Sequence, residues 1–133
     1  MRYLLDTNIC ADAMNERYPR VAARIRRLSP ENIHISPIVV AELRYGADKS
    51  ARQRENHTRI DQFVQGLQCL DFDLDAAATY GRIRAGLEAM GQTIGPNDLL
   101  IAAQALSNHL ILVTDNLREF QRVKGLQVEN WRE

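Results

Sequence analysis

Short apolar runs alternate along this chain with longer segments whose apolar residues recur at helical spacing. The runs Tyr3–Leu5, Ile33–Ser36, Cys69–Phe72 and Leu110–Thr114 predict strands, and a weaker one falls near Gln127–Glu129. Helices are predicted near 9–16, 19–28, 38–49, 51–66, 74–90, 98–107 and 117–122. Such alternation predicts an α/β fold, a parallel sheet with helices on both faces. The strands are short and apolar, as strands covered on both sides are. No repeat, low-complexity run or Pro/Gly-rich linker divides the pattern, and 133 residues fit a single domain, 1–133.

Several boundaries have a local cause. Ser36-Pro37 sets a capping hydroxyl before a proline at the first helical position. Gly95-Pro96-Asn97 stops the chain and offers Asn97 as a cap for the next helix, which Asp98 then opens. Gly46 interrupts the helix that starts at Pro37, and the charged stretch Asp48–Glu55 marks the turn to the following one.

Composition narrows the class without naming a chemistry. Hydrophobic residues make up 45% and charged residues 26%, the balance of a soluble domain with a real core. No apolar run nears the roughly 20 residues that cross a bilayer. The start, Met1-Arg2 followed by Tyr3-Leu4-Leu5-Asp6, is too short for a signal-peptide core, so a cytoplasmic protein is expected, with no membrane role. Cys10 and Cys69 form no metal-like spacing and are expected to be reduced and buried. Seventeen basic residues balance seventeen acidic ones, so net charge points to no polyanionic partner. Lysine occurs only at 49 and 124, however, and Arg17, Arg20, Arg24, Arg26 and Arg27 lie close together. Arginine suits bidentate phosphate contact, but a solvated helix face is the plainer account of such a cluster, since helical charge clusters are usually surface.

Acids stand at four places where a parallel sheet would expose them. Asp6 follows the first strand, Glu42 lies in the first turns after the second, Asp98 opens a late helix, and Asp115 follows the last strong strand. Ligands of open parallel sheets gather outside the carboxyl ends of the strands, at a switch in strand order. Taken singly, Asp6 and Asp98 also suit helix N-termini, and Asp115 suits a turn. Glu42 is harder to place as surface, since Ile38, Val39, Tyr45 and Gly46 are its helical neighbours. Asp98 heads Leu99-Leu100-Ile101-Ala102-Ala103, a helix apolar on nearly every side. Clustered carboxylates repel one another unless a cation joins them, and oxygen ligands favour Mg²⁺ or Mn²⁺. His34, His57 and His109 are spaced for neither a triad nor a zinc site.

These residues resemble the acidic signature of PIN-domain nucleases. The resemblance rests on Asp6-Thr7-Asn8, Val39-Val40-Ala41-Glu42-Leu43, Gly95-Pro96-Asn97-Asp98 and Thr114-Asp115-Asn116-Leu117-Arg118-Glu119-Phe120. With Tyr45-Gly46-Ala47, Lys49-Ser50, Tyr80-Gly81-Arg82-Ile83-Arg84-Ala85 and Glu129-Asn130-Trp131 it spans nearly the whole chain and is similar to VapC toxins, the enteric type in particular. The resemblance implies a three-layer α/β/α sandwich and a Mg²⁺- or Mn²⁺-dependent endoribonuclease, the toxin of a type II toxin–antitoxin pair. It also implies a VapB antitoxin partner, operator DNA reached only through that antitoxin, a homodimer, and initiator tRNA cut in the anticodon region. It carries over Asp6, Glu42 and Asp98 as metal-site acids. For the fourth position Asp115, Asn116 and Glu119 stay open, in that order of preference, because some members read Thr-x-Asn-x-x-Glu-Phe with a variable x. Thr7 and Thr114 are expected to orient carboxylates. One bound ion, or two about 4 Å apart, would stabilise charge on the phosphoryl oxygens.

Two rivals stand beside this reading. A phospho-accepting receiver would want adjacent acids after the first strand and a lysine after a late one, whereas Asp6 stands alone and Thr114 is followed by Asp115. A binding module, acting mainly with its antitoxin in a DNA-bound autorepressor, would not need the full set of acids. A toxin also needs inhibition in trans. Ile9, Ala13 and Met14, with Ile60, Phe63, Val64 and Leu67, offer apolar positions for an antitoxin tail, or simply for the core.

Overall fold

The computed structural model describes all residues, 1–133. Five strands form one parallel sheet: β1 (Tyr3–Leu5), β2 (Ile33–Ile35), β3 (Gln68–Cys69), β4 (Ile111–Val113) and β5 (Val128–Glu129). Seven α-helices connect and flank them: α1 (Thr7–Asn15), α2 (Pro19–Arg27), α3 (Pro37–Lys49), α4 (Gln53–Gln65), α5 (Leu74–Ala89), α6 (Pro96–Ser107) and α7 (Leu117–Phe120). The strand order is β3-β2-β1-β4-β5. The chain therefore moves outward from β1 to β3 and then returns to the other side of β1. With right-handed crossovers, that reversal sets α1–α4 on one face and α5–α6 on the other. It also puts the switch in strand order between β1 and β4.

The core follows from the strand pattern. All residues of β1, β2 and β4 are buried, and Leu4, Leu5, Ile35, Leu112 and Val113 are fully so. Each such aliphatic side chain contributes about 1.5–3 kcal/mol by leaving water. From α6, Ile101, Ala102, Ala103 and Ala105 pack into the same core, as its all-round apolar sequence requires. Gln104 is the exception on that helix. Its fully buried amide accepts from the Ser36 hydroxyl and donates to the carbonyls of Leu70 (3.2 Å) and Asp71 (3.3 Å). It thereby ties α6 to the end of β2 and to the segment after β3.

Several expectations need correction. The third strand is Gln68–Cys69 rather than Cys69–Phe72, since pairing with β2 ends where the Leu70 N–H reaches the Ile35 carbonyl. Cys69 sits on that edge strand and is exposed, whereas Cys10 is buried; both thiols are free. Asn97 is not a cap, because Pro96 already occupies the first helical position and Gly95 precedes it. Ser36 does cap α3, its hydroxyl accepting from the Ile38 N–H at 3.1 Å. Pro30–Asn32 adds a short 3₁₀ turn that the sequence reading did not contain. Ile9 and Ile60 belong to the core, and Ala13, Phe63, Val64 and Leu67 pack partly buried against it.

Candidate active site

The switch point places Asp6 and Thr114 side by side. Leu5 is in register with Val113, so the next residue of each strand emerges at the same edge, and the Asp6 N–H bonds the Val113 carbonyl at 2.9 Å. Asp6 is 7% exposed and caps α1. One carboxylate oxygen accepts from the Thr7 N–H and the other from the Thr114 hydroxyl, each at 2.8 Å. Burial still outweighs those bonds and, with the charges of Glu42 and Asp115, holds the Asp6 carboxyl above its ordinary range.

Glu42 arrives from α3, one to two turns beyond the end of β2, and is half-buried. Its helical neighbours Tyr45 and Gly46 are exposed, so the face is less apolar than the sequence suggests. The Thr7 hydroxyl donates to Glu42 at 3.0 Å. Thr7 thus links the acid after β1, through its backbone, with the acid on α3, through its side chain.

Asp98 comes from the first turn of α6. Its pKa is pushed up to about 7, first by burial, then by a hydrogen bond to the carboxylate of Glu119, then by the charges of Asp6, Glu119 and Glu42. Glu119, from α7, is the better-satisfied partner. Burial works to raise its pKa but loses to the Gly95 N–H (2.6 Å), the Asn116 amide (2.8 Å) and Asp98, so the net shift is downward. Of the two, Asp98 is therefore the acid that keeps a proton up to about pH 7, with Glu119 accepting its hydrogen bond. A carboxyl whose partner is a second carboxyl is the arrangement a bound cation would relieve.

Asp6, Glu42, Asp98 and Asp115 line one cleft of about 130 Å³ with Thr7, Asn8 and Asn116, and none of its lining residues is hydrophobic. All four acids named from the sequence are thus brought together. As they stand, no three His, Cys, Asp or Glu side chains close around a single point. Like charges repel across the cleft, and the side chains line it instead. The donor set is entirely oxygen apart from two amide groups, which fits a hard divalent ion such as Mg²⁺ or Mn²⁺. Asp6, Glu42 and Asp98 would hold it.

Asp115 differs from the other three. Asn8 donates to one of its oxygens at 3.3 Å, and Arg132 donates to the other at 3.2 Å. Of its rivals for the fourth place, Asn116 lines the cleft and Glu119 stands behind Asp98. Arg132 escaped the sequence reading; no pattern near it signals a partner 120 positions away. His34 is buried in β2 against the Tyr3 carbonyl, His57 pairs with Asp48, and His109 turns the chain before β4; none lines the cleft.

A groove of about 300 Å³ opens beside the cleft between α1, α3 and α4 and shares Thr7 and Glu42 with it. Ala11, Met14, Leu43 and Ile60 supply its apolar walls, and Arg59 and Asn56 its polar ones. The arginine cluster Arg17, Arg20, Arg24, Arg26 and Arg27 is exposed along α2 and the turn before it.

Comparison with known proteins agrees with this arrangement. The PIN domain family model matches residues 3–126. "Ribonuclease VapC2" of Rickettsia felis is 42% identical over 98% of both chains. "tRNA(fMet)-specific endonuclease VapC" of Salmonella typhimurium is 38% identical, again over 98% of both. Among solved structures, VapBC2 from Rickettsia felis bound to a promoter DNA fragment superposes with a TM-score of 0.92 at 42% identity, covering 98% of this chain and 99% of that one. DNA-bound VapBC from Salmonella typhimurium gives 0.93 at 37% identity, covering 98% of each. By its matched family model and its full-length relatives, this chain belongs to the VapC family of PIN-domain proteins.

Proposed function

We propose that this chain is a single PIN domain acting as the toxin of a type II toxin–antitoxin system, a metal-dependent endoribonuclease that cuts initiator tRNA in the anticodon region. The observation that carries the reading is the meeting of Asp6, Glu42 and Asp98 in one polar cleft at the switch point of the sheet. Asp6, Glu42 and Asp98 would hold a divalent ion there, Mg²⁺ or Mn²⁺, which would supply positive charge to a phosphodiester and lower the pKa of a water molecule. The protein's share is positional. Thr114 and the Thr7 N–H fix both oxygens of Asp6, the Thr7 hydroxyl fixes Glu42, and Glu119 holds Asp98 through a hydrogen bond between the two carboxyl groups.

The tRNA reading is supported by the size of the domain and by relatives named for tRNA(fMet) cleavage. A small domain reads RNA in unstacked loops, because the A-form major groove is too narrow for side chains. A net-neutral chain must meet phosphates with local cations. Arg82, Arg122 and Lys124 line one groove beside α5 together with Ile83, Leu87 and Met90, and no carboxylate lines it. A VapB-type antitoxin is the partner, and the groove between α1, α3 and α4 suits its tail, since it leads from apolar walls to Glu42. A basic side chain at the end of that tail would neutralise the acids and exclude the metal. Operator DNA is reached through the antitoxin, the active form is a homodimer, and the setting is cytoplasmic. No helix is long and apolar enough to cross a membrane.

Incubation with total tRNA and Mg²⁺, followed by mapping of 5′ ends, tests the reading. A unique cut in the initiator tRNA anticodon region is expected, weakening steeply with added salt. Cuts scattered over mRNA or rRNA would refute the tRNA assignment while leaving the nuclease intact. A chain that only binds its antitoxin and operator, and cuts no RNA, would refute the nuclease.

A further inference from the structure

The C-terminal tail places a permanent cation against the fourth acid of the cleft. Trp131 is 2% exposed, edge-on to Tyr3 at 5.0 Å, and its indole N–H donates to Glu129 at 2.9 Å. The next residue is held by this anchor. The Arg132 N–H bonds the Asn130 side chain at 3.0 Å, and its guanidinium lies over the Tyr18 ring at 4.4 Å. Its main partner is Asp12 of α1, a carboxylate 3% exposed whose two oxygens accept from Nε at 2.6 Å and Nη2 at 3.0 Å. A buried carboxylate needs such a partner, so Asp12 fixes where the guanidinium sits whatever occupies the cleft. The remaining nitrogen, Nη1, then reaches Asp115 at 3.2 Å.

We propose that Arg132, positioned by Asp12, acts as the resident cation of Asp115, withdraws that acid from the metal set, and limits the cleft to one divalent ion held by Asp6, Glu42 and Asp98. The inference rests on the metal-site reading above. Its physical basis is charge. Arginine stays protonated at every working pH, so one oxygen of Asp115 is already engaged by a guanidinium that it shares with Asp12, and a second divalent ion at the same carboxylate would have to displace that contact and approach a fixed positive charge. Removing Asp115 costs the metal nothing under this account. Removing Arg132 without stranding Asp12 frees an acid for a second ion. Arg132 is a positioning residue, and metal stoichiometry is a readout that a purely structural tail would leave unmoved.

Calorimetric titration of Mn²⁺ into the purified chain decides the matter. The parent is expected to bind one Mn²⁺, with Asp115→Asn unchanged within about twofold and Arg132→Lys still binding one. The double variant Asp12→Asn/Arg132→Gln, which leaves no buried charge unpaired, is expected to bind a second Mn²⁺ or to bind one about tenfold more tightly. That gain should vanish when Asp115→Asn is added. Two ions on the parent, a tenfold loss in Asp115→Asn, or a folded double variant that binds as the parent does would each overturn the proposal. If the double variant does not fold, the parent stoichiometry and the Asp115→Asn affinity still decide. A parent that binds no Mn²⁺ at all would instead overturn the underlying metal-site reading.

Discussion

The two sides of the acidic cleft hold their carboxylates by opposite means. On the sheet side, Asp6 grows out of a fully buried strand and has a donor on each oxygen, the Thr7 N–H and the Thr114 hydroxyl. On the helix side, Asp98 sits in the first turn of α6 and finds another carboxylate, Glu119, which has taken the Gly95 and Asn116 donors for itself. Burial raises both acids, yet only Asp98 is lifted to about 7. The fold thus completes Asp6 and leaves Asp98 to be completed by a proton or a cation. A site whose task is to capture a divalent ion gains from that difference. Under the proposed metal reading, Asp6 would give a fixed reference point and Asp98 the binding energy.

The largest effect expected is on cleavage, where both sides should matter equally. Asp6→Asn and Asp98→Asn should each lower the rate by roughly 10²–10³-fold or more, the scale of losing one preorganised charge at a reacting centre. The fold should survive in both, as circular dichroism would verify. A difference of more than tenfold between them would break the symmetry claimed for catalysis.

The next effect separates the sides by pH. The folded-state pKa of Asp98, about 7, lies above its unfolded value of 3.8, so the folded chain binds the extra proton between those limits. The metal-free protein should therefore lose stability as pH rises from about 4 to 7. Mg²⁺, which competes with that proton, should raise the melting temperature more at pH 8 than at pH 5.5. Equal stabilisation at both pH values would contradict the shared-proton description of Asp98 and Glu119.

Metal-free stability should also change with opposite signs. Asp98→Asn removes the carboxylate repulsion and should raise the melting temperature at pH 8, by roughly 3–5 °C for each kcal/mol relieved in a chain of this size. Asp6→Asn turns one acceptor into a donor that faces Thr7 or Thr114, which costs about 1–3 kcal/mol and should lower it. Two shifts of the same sign would show that the sides are not held differently.

The smallest effect is expected from Glu119→Gln. Gln still accepts from Gly95 or Asn116, but it no longer charges the neighbourhood of Asp98. The pH at which Mg²⁺ stabilisation sets in should move down, with folded stability little changed. An unmoved midpoint would remove Glu119 from the account of Asp98.

Much of this was legible from local signals. β1 and β4 are short apolar runs followed by acids, and α3 starts where Ser36-Pro37 says it should. The strand–helix alternation carried the parallel order and hence the meeting of Asp6, Glu42, Asp98 and Asp115. What stayed hidden depends on distant partners. The apolar Leu70 and Phe72 look like strand, yet pairing stops after Cys69 because β2 is only three residues long. Cys69 looked like core but lies on an edge strand. Glu119 ranked last for the fourth position, and its bond to the Gly95 N–H depends on a loop 24 residues away. Gln104 reads as one polar residue in an apolar helix until Ser36 and the Leu70 carbonyl are seen beside it. The Arg132–Asp12 pair joins the two ends of the chain and leaves no periodicity to detect.

The central claim is that the acids of this cleft hold a divalent ion that cuts RNA. Its most direct test is cleavage of total tRNA by the purified chain with Mg²⁺, run beside an EDTA control and beside Asp98→Asn checked for folding. The account predicts a discrete product with the parent and Mg²⁺, and none in the other two. Cleavage that survives EDTA, or that Asp98→Asn retains at the parent's rate, would contradict it.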